Sequence, residues 1–183
     1  MTARSAAPVR FTATVEQLGA RILVRLPADA SAALPSRGQV AVAGTLAGAD
    51  FRTVVEPDGR KGHWIALDDA PVEAGDEVSM ELVPVTEWPE PTVPDDLRSA
   101  LDDAPDTADV WADITPMARW EWVRWIGATK NPATRAKRVD VTISKMRSGK
   151  RRPCCFDLAS CTDPELMKSG KLIDAEEAAP RPA

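Results

Sequence analysis

Histidine and cysteine are scarce in this 183-residue sequence, which holds one of the former, His63, and three of the latter. One imidazole leaves no histidine pair for a metal, and one titrating group makes no catalytic constellation by itself. Cys154, Cys155 and Cys161 all fall near the end of the chain. Their odd number and the lack of C-x-x-C spacing favour free thiols over a disulfide framework or a metal knot. No apolar run approaches the roughly 20 residues that span a bilayer. The first residues carry no apolar core of a secretory signal, so a cytoplasmic protein without membrane insertion is expected. The phosphate-binding, dinucleotide-binding and nucleophile-elbow patterns G-x-x-x-x-G-K-[ST], G-x-G-x-x-G and G-x-S-x-G do not occur. These absences predict no catalytic residue, no cofactor and no metal, and they rank an enzyme role behind a binding role.

What is present is a globular composition, 44% hydrophobic and 28% charged, with an uneven distribution of charge. Between Pro116 and Arg152 lie eleven basic residues and two acidic ones, Glu121 and Asp140, together with Trp120, Trp122 and Trp125. That segment is +9 in a chain of net charge −5, so the remainder carries −14. A nucleic-acid partner would therefore have to be held by a local patch.

Periodicity divides the chain in two. From Arg10, Phe11, Ala13 and Val15 alternate with Thr12, Thr14 and Glu16, the pattern of a half-buried strand. Residues 21–27, 39–48, 51–59, 63–69 and 77–85 repeat that signal between turn signals at Gly19, Gly48 and Pro57-Asp58-Gly59, with one short helix at 29–34. Six short strands at this spacing predict a small barrel over 8–86. Pro89, Pro91 and Pro94, three prolines within six positions, make 87–93 a linker. Then 94–152 shows helical spacing. Pro94-Asp95-Asp96 opens one helix on Leu97, Ala100, Leu101 and Ala104. A second follows Pro105 and buries Ala108, Trp111 and Ile114. Thr115-Pro116 caps a third and Asn131-Pro132 a fourth, whose stripe is Ala136, Val139, Ile143 and Met146 and whose end is Gly149. Residues 153–173 read as a docked tail and 174–183 as disordered. The fold class is α+β: a small β-barrel followed by a small helical domain.

Two blocks resemble known families. FTATVEQLG, RILVRLPADASAAL, VAGTLAGADFRTVVEPDGRKGHWIAL and GDEVSMELV are similar to the family called domain of unknown function 1905. VPDDLRSALDDAP, the W-x-x-I-T-P stretch and WVRWIGATKNPATRAKRV resemble the bacteriocin-protection, YdeI or OmpD-associated family. The resemblance implies a double-split, AbrB-like barrel ahead of a helical domain, an envelope-stress role and no catalytic residue. The chain departs from the second pattern at Thr129, inserted between Ala128 and Lys130.

Two sets of residues are candidates for binding. Lys130, Arg135, Lys137, Arg138, Lys145, Arg147, Lys150 and Arg151, with Arg152, could neutralise an anion, against the plainer reading of a solvated or self-paired cationic face. Arg52, Arg60 and His63 could line a barrel mouth, against a surface histidine at a strand end. The tryptophans read as core, since their spacing is helical and their neighbours apolar. Two functions follow: a non-enzymatic bacterial binding protein with an unknown protein or anionic ligand, or a nucleic-acid-binding regulator using 132–152 and the barrel. Oligomeric state cannot be read from these residues.

Overall fold

A computed structural model describes residues 7–153 and 161–178. Two compact units result, one running to Pro89 and resuming at Lys171, the other spanning Glu90–Gly170. The first contains strands β1 (Val9–Thr14), β2 (Glu16–Leu18), β3 (Arg21–Arg25), β4 (Val40–Leu46), β5 (Ala49–Pro57), β6 (His63–Ala66) and β7 (Glu77–Pro84), with helix α1 (Ala28–Ala32) after β3. All pairings are antiparallel, in the order β1-β7-β4-β5-β6-β3-β2.

The two ends of that order are one stretch of chain. Only Val15 separates β1 from β2, and its N–H donates to Asp76 O (2.8 Å) while its carbonyl accepts from Gly75 N–H (2.8 Å). A single strand, bent at a buried valine, pairs with β7 before the bend and β3 after it. The sheet is thereby nearly closed, which leaves little edge open to pairing with other chains. This explains why seven strands are found where alternation predicts six.

Inward residues form one core, including Val15, Val24, Val42, Val55, Ile65 and Leu82, and Ala30 of α1 and Leu34 join it. Two local features make the closure possible. The β4–β5 loop is two residues, Ala47 and Gly48, both at positive φ (50° and 85°), which matches the twist of the strands it joins. Gly44 in β4 lies opposite Leu82, and a Cβ there would sit 1.9 Å from Glu81 O, so the two backbones pass too closely for any side chain.

His63 belongs to this barrel's interior structure, which corrects the expectation of a surface histidine. It is buried. Its Nε2 contacts Gly38 O (3.2 Å), which can only accept, so Nε2 carries the proton; Nδ1 then accepts from the Ser31 hydroxyl at 2.7 Å. The imidazole thus ties β6 to α1 and to the loop before β4. Burial pushes its pKa below the ordinary 6.5, only partly offset by the bond to Gly38.

The outer face of β2, β3 and β6 is also covered. Leu18, Leu23 and Trp64 alternate with the core residues yet are fully buried. Arg25 shares the face of Leu23 and donates to Ile173 O (2.7 Å); Leu172 N–H donates to Asp58 O (2.9 Å), and Asp174 pairs with Arg25 and Arg60. The chain from Lys171 therefore returns to the barrel, whereas 161–170, within the stretch 153–173 expected to dock, belong to the helical unit. Ala175–Ala178 form a helical turn within the stretch expected to be disordered. Cys154 and Cys155 lie outside the described residues; Cys161 is buried.

The second unit holds α2 (Asp95–Asp102), a 3₁₀ turn (Pro105–Thr107), α3 (Ala108–Asp113), α4 (Pro116–Gly127) and α5 (Pro132–Arg147). Thr115 Oγ1 accepts from Ala118 N–H (3.2 Å), and Asn131 Oδ1 from Ala133 and Thr134 N–H (2.9 and 3.1 Å), so both capped starts form as the sequence predicts. Gly149, at φ 75°, turns the chain after α5. Ile114, Ala118, Trp122 and Met146 make one cluster and Leu97, Ile126 and Val139 another, with Leu101, Trp111 and Trp125 packed against both. Ala108 and Ala136 differ from expectation in being exposed. Among the described residues no helix is long and apolar enough to cross a membrane.

Two outcomes follow for the barrel. A chain ending at Gly170 should expose Leu18, Leu23 and Trp64, seen as increased binding of a hydrophobic dye and a lower urea midpoint for the barrel than in the full chain. Because the folded pKa of His63 is lowered, the unfolded chain binds the proton more readily. Stability is then complete above about 6.5 and falls as pH drops from there through the lower folded value. Urea midpoints between pH 7.5 and 5.5 should show that slope, and His63→Asn should flatten it.

Candidate functional site

Helix α4 carries its aromatic and basic residues interleaved, and in space they pair. The Arg119 guanidinium lies 6.0 Å from the Trp111 ring, that of Arg124 5.6 Å from Trp120, and that of Arg138 of α5 5.3 Å from Trp125. Each arginine also donates to a backbone carbonyl: Arg119 to Trp111 and Ala112 O, Arg124 to Cys161 O, Arg138 to Trp125 O. Such stacks cover the outer faces of half-buried rings while leaving the charge hydrated. Trp122 and Trp125 meet edge to face with centroids 6.0 Å apart. Trp122 is fully buried, as a core tryptophan should be; Trp120 is only half-buried.

Most of the remaining arginines are matched to carboxylates far away in sequence. Arg135 makes a two-pronged contact with Asp96 (2.7 and 2.9 Å), and Arg147 one with Asp106 (2.7 and 3.2 Å). The hydrogen bonds from these guanidinium groups hold Asp96 and Asp106 below the usual carboxylate range. Arg151 reaches the Asp113 carboxylate (2.6 Å) and its carbonyl (2.8 Å). Arg152 grips both oxygens of Glu121, one of the two acidic residues of the basic segment, which is buried within α4. Of the predicted anion-binding set, Arg135, Arg147 and Arg151, with Arg152, are therefore structural at least in part. The ammonium groups of Lys130, Lys137, Lys145 and Lys150 form no ion pair among the described residues.

Lys130 differs from the other three lysines in where it sits. With Trp120, Val123, Arg124 and Arg135 it lines a cavity of about 570 Å³, whose facing wall is the turn Thr162–Glu165. Thr129 shapes the approach: its Oγ1 accepts from Asn131 N–H (3.1 Å) and its own N–H donates to Gly127 O (2.8 Å). On the far wall, Asp163 Oδ1 accepts from Glu165 N–H (2.9 Å), and buried Leu166 anchors the turn. Arg135 engages Asp96 through Nε and Nη2, and its Nη1 points toward Gly127, where an added Cβ would have nothing else within 4 Å. The cavity thus offers an ammonium, an uncommitted guanidinium nitrogen, the part of the Trp120 indole that Arg124 leaves uncovered, and acidic groups.

The barrel candidates do not converge. Arg52 lines a cavity of about 400 Å³ at one end of the barrel with Phe51 and the Arg21–Asp68 pair. Arg60 is held by Asp174, and His63 is buried with both nitrogens bonded. Among the described residues no group of three histidines, cysteines or carboxylates is placed to hold a metal. The turn at 162–165 escaped the sequence reading because it lies outside both family blocks; its Asp163-Pro164 turn signal was the available clue.

Residues 11–82 match the family model described as Domain of unknown function (DUF1905), and residues 90–149 match that of Bacteriocin-protection, YdeI or OmpD-Associated. No curated protein matches the chain. The chain therefore joins a DUF1905 domain to a domain of the bacteriocin-protection, YdeI or OmpD-associated family, in that order.

Proposed function

We propose that the chain is a non-enzymatic binding protein of the bacteriocin-protection and envelope-stress type, which takes an anionic group in the cleft of its helical domain. The observation that carries this reading is selective commitment of charge. Arginines 147, 151 and 152 are paired with carboxylates, whereas Lys130 and Arg135 Nη1 converge beside Trp120 on an open cavity. A volume near 570 Å³ is within the range of small-molecule sites, which run from about 300 to 1,000 Å³.

A nucleic-acid role draws support from Lys137, Lys145 and Lys150, which form no ion pair among the described residues. Against it, Arg147, Arg151 and Arg152 are already paired with carboxylates, which offsets the charge they could present to phosphates.

Gly127→Leu is the direct test of the cleft, because the substitution fills open space at the end of a helix and removes no charge. Expression of the intact chain in bacteriocin-sensitive bacteria should raise survival, and Gly127→Leu should abolish that gain while folding normally. Equal protection by the two would contradict the assignment. Gel shifts at about 50 mM salt, where phosphate contacts are strongest, should show no retardation of DNA or RNA; salt-sensitive retardation lost in Arg135→Ala with Arg138→Ala would favour the regulator instead.

A further inference from the structure

The two walls of the cleft carry opposite charge. On the α4–α5 side, Lys130 is exposed and without an ion pair, and Arg135 Nη1 is uncommitted. On the other side, Glu165 is exposed, its carboxylate likewise without an ion pair among the described residues. The other lining charges are engaged: Arg124 over Trp120 and on Cys161 O, and Asp163 on Glu165 N–H. Between the walls lie apolar surfaces from Trp120, Val123 and Pro164. A simple anion would gain from one wall and be repelled by the other. A ligand with charges of both signs, separated by a short apolar body, meets complementary groups throughout.

Resting on the reading that this cleft is the binding site, we infer that it selects a small zwitterion: a free amino acid or short peptide with an apolar side chain. Its carboxylate sits between Lys130 Nζ and Arg135 Nη1, its ammonium faces Glu165, and its side chain lies against Trp120, Val123 and Pro164. Asp96 stays on Nε and Nη2 of Arg135 and holds the guanidinium plane for the incoming carboxylate.

Isothermal titration of the full chain at pH 7 tests this with four probes: L-leucine, L-leucyl-L-leucine, N-acetyl-L-leucine and L-leucinamide. The two zwitterions should bind, and loss of either charge should weaken binding about tenfold or more, as expected for a charge-assisted contact. Glu165→Gln should erase the preference for L-leucine over N-acetyl-L-leucine, Lys130→Gln the preference over L-leucinamide, and Gly127→Leu all binding. Both charged residues are exposed, so these variants should fold. N-acetyl-L-leucine binding as tightly as L-leucine would overturn the zwitterion assignment and leave an anion site standing. Zwitterion binding unchanged in Gly127→Leu, or no binding of any probe, would overturn both.

Discussion

The helical unit depends on one buried charge. Glu121 lies in the middle of α4, on the helix that also buries Ala118, Trp122 and Ile126, and its carboxylate is buried. A carboxylate in that position without a partner is destabilising, and the cation must come from elsewhere in the chain. Arg152, thirty-one residues on, supplies it. To bring it there, the chain turns at Gly149 after α5 and runs back along α4, where Trp122 Nε1–H donates to Arg151 O (3.2 Å) and Arg151 takes Asp113. The basic stretch after α5 is a clasp that ties α3, α4 and α5 together. The Arg–Trp stacks at Trp111, Trp120 and Trp125 extend the same device over the rest of the unit.

The barrel solves a geometric problem instead. Closing a small sheet requires a strand that can serve both ends, a backbone that tolerates close approach, and a plug. The bend at Val15, the absence of a side chain at Gly44, and α1 with its Ser31–His63 bond meet those needs in turn. Each sits at a residue whose local signal is weak.

Local features were therefore legible and long-range ones were not. Thr115, Pro116, Asn131 and Gly149 announce helix ends because capping chemistry is confined to a few neighbouring residues. Alternation identified the strands because a half-buried surface imposes period two. Periodicity scores residue type and carries no sign of the Arg152 contact that allows Glu121 to be buried. It placed His63 at a surface strand end because Ser31 and Gly38 lie 32 and 25 residues away. The cleft was half legible: Lys130, Arg135 and Trp120 stand out as charge and aromatic surface, whereas Thr162–Glu165 becomes a wall only after the chain folds back.

A division of labour runs through a segment that the sequence presents as uniformly basic, with paired arginines holding the fold and Lys130 lining an open cavity. Thermal unfolding of the helical unit in single variants measures that division. Arg152→Ala leaves Glu121 unmatched and should cost about 1–3 kcal/mol, lowering the midpoint by several degrees, while Lys137→Ala should leave it unchanged. Equal midpoints for Arg152→Ala and the unsubstituted chain would contradict the claim.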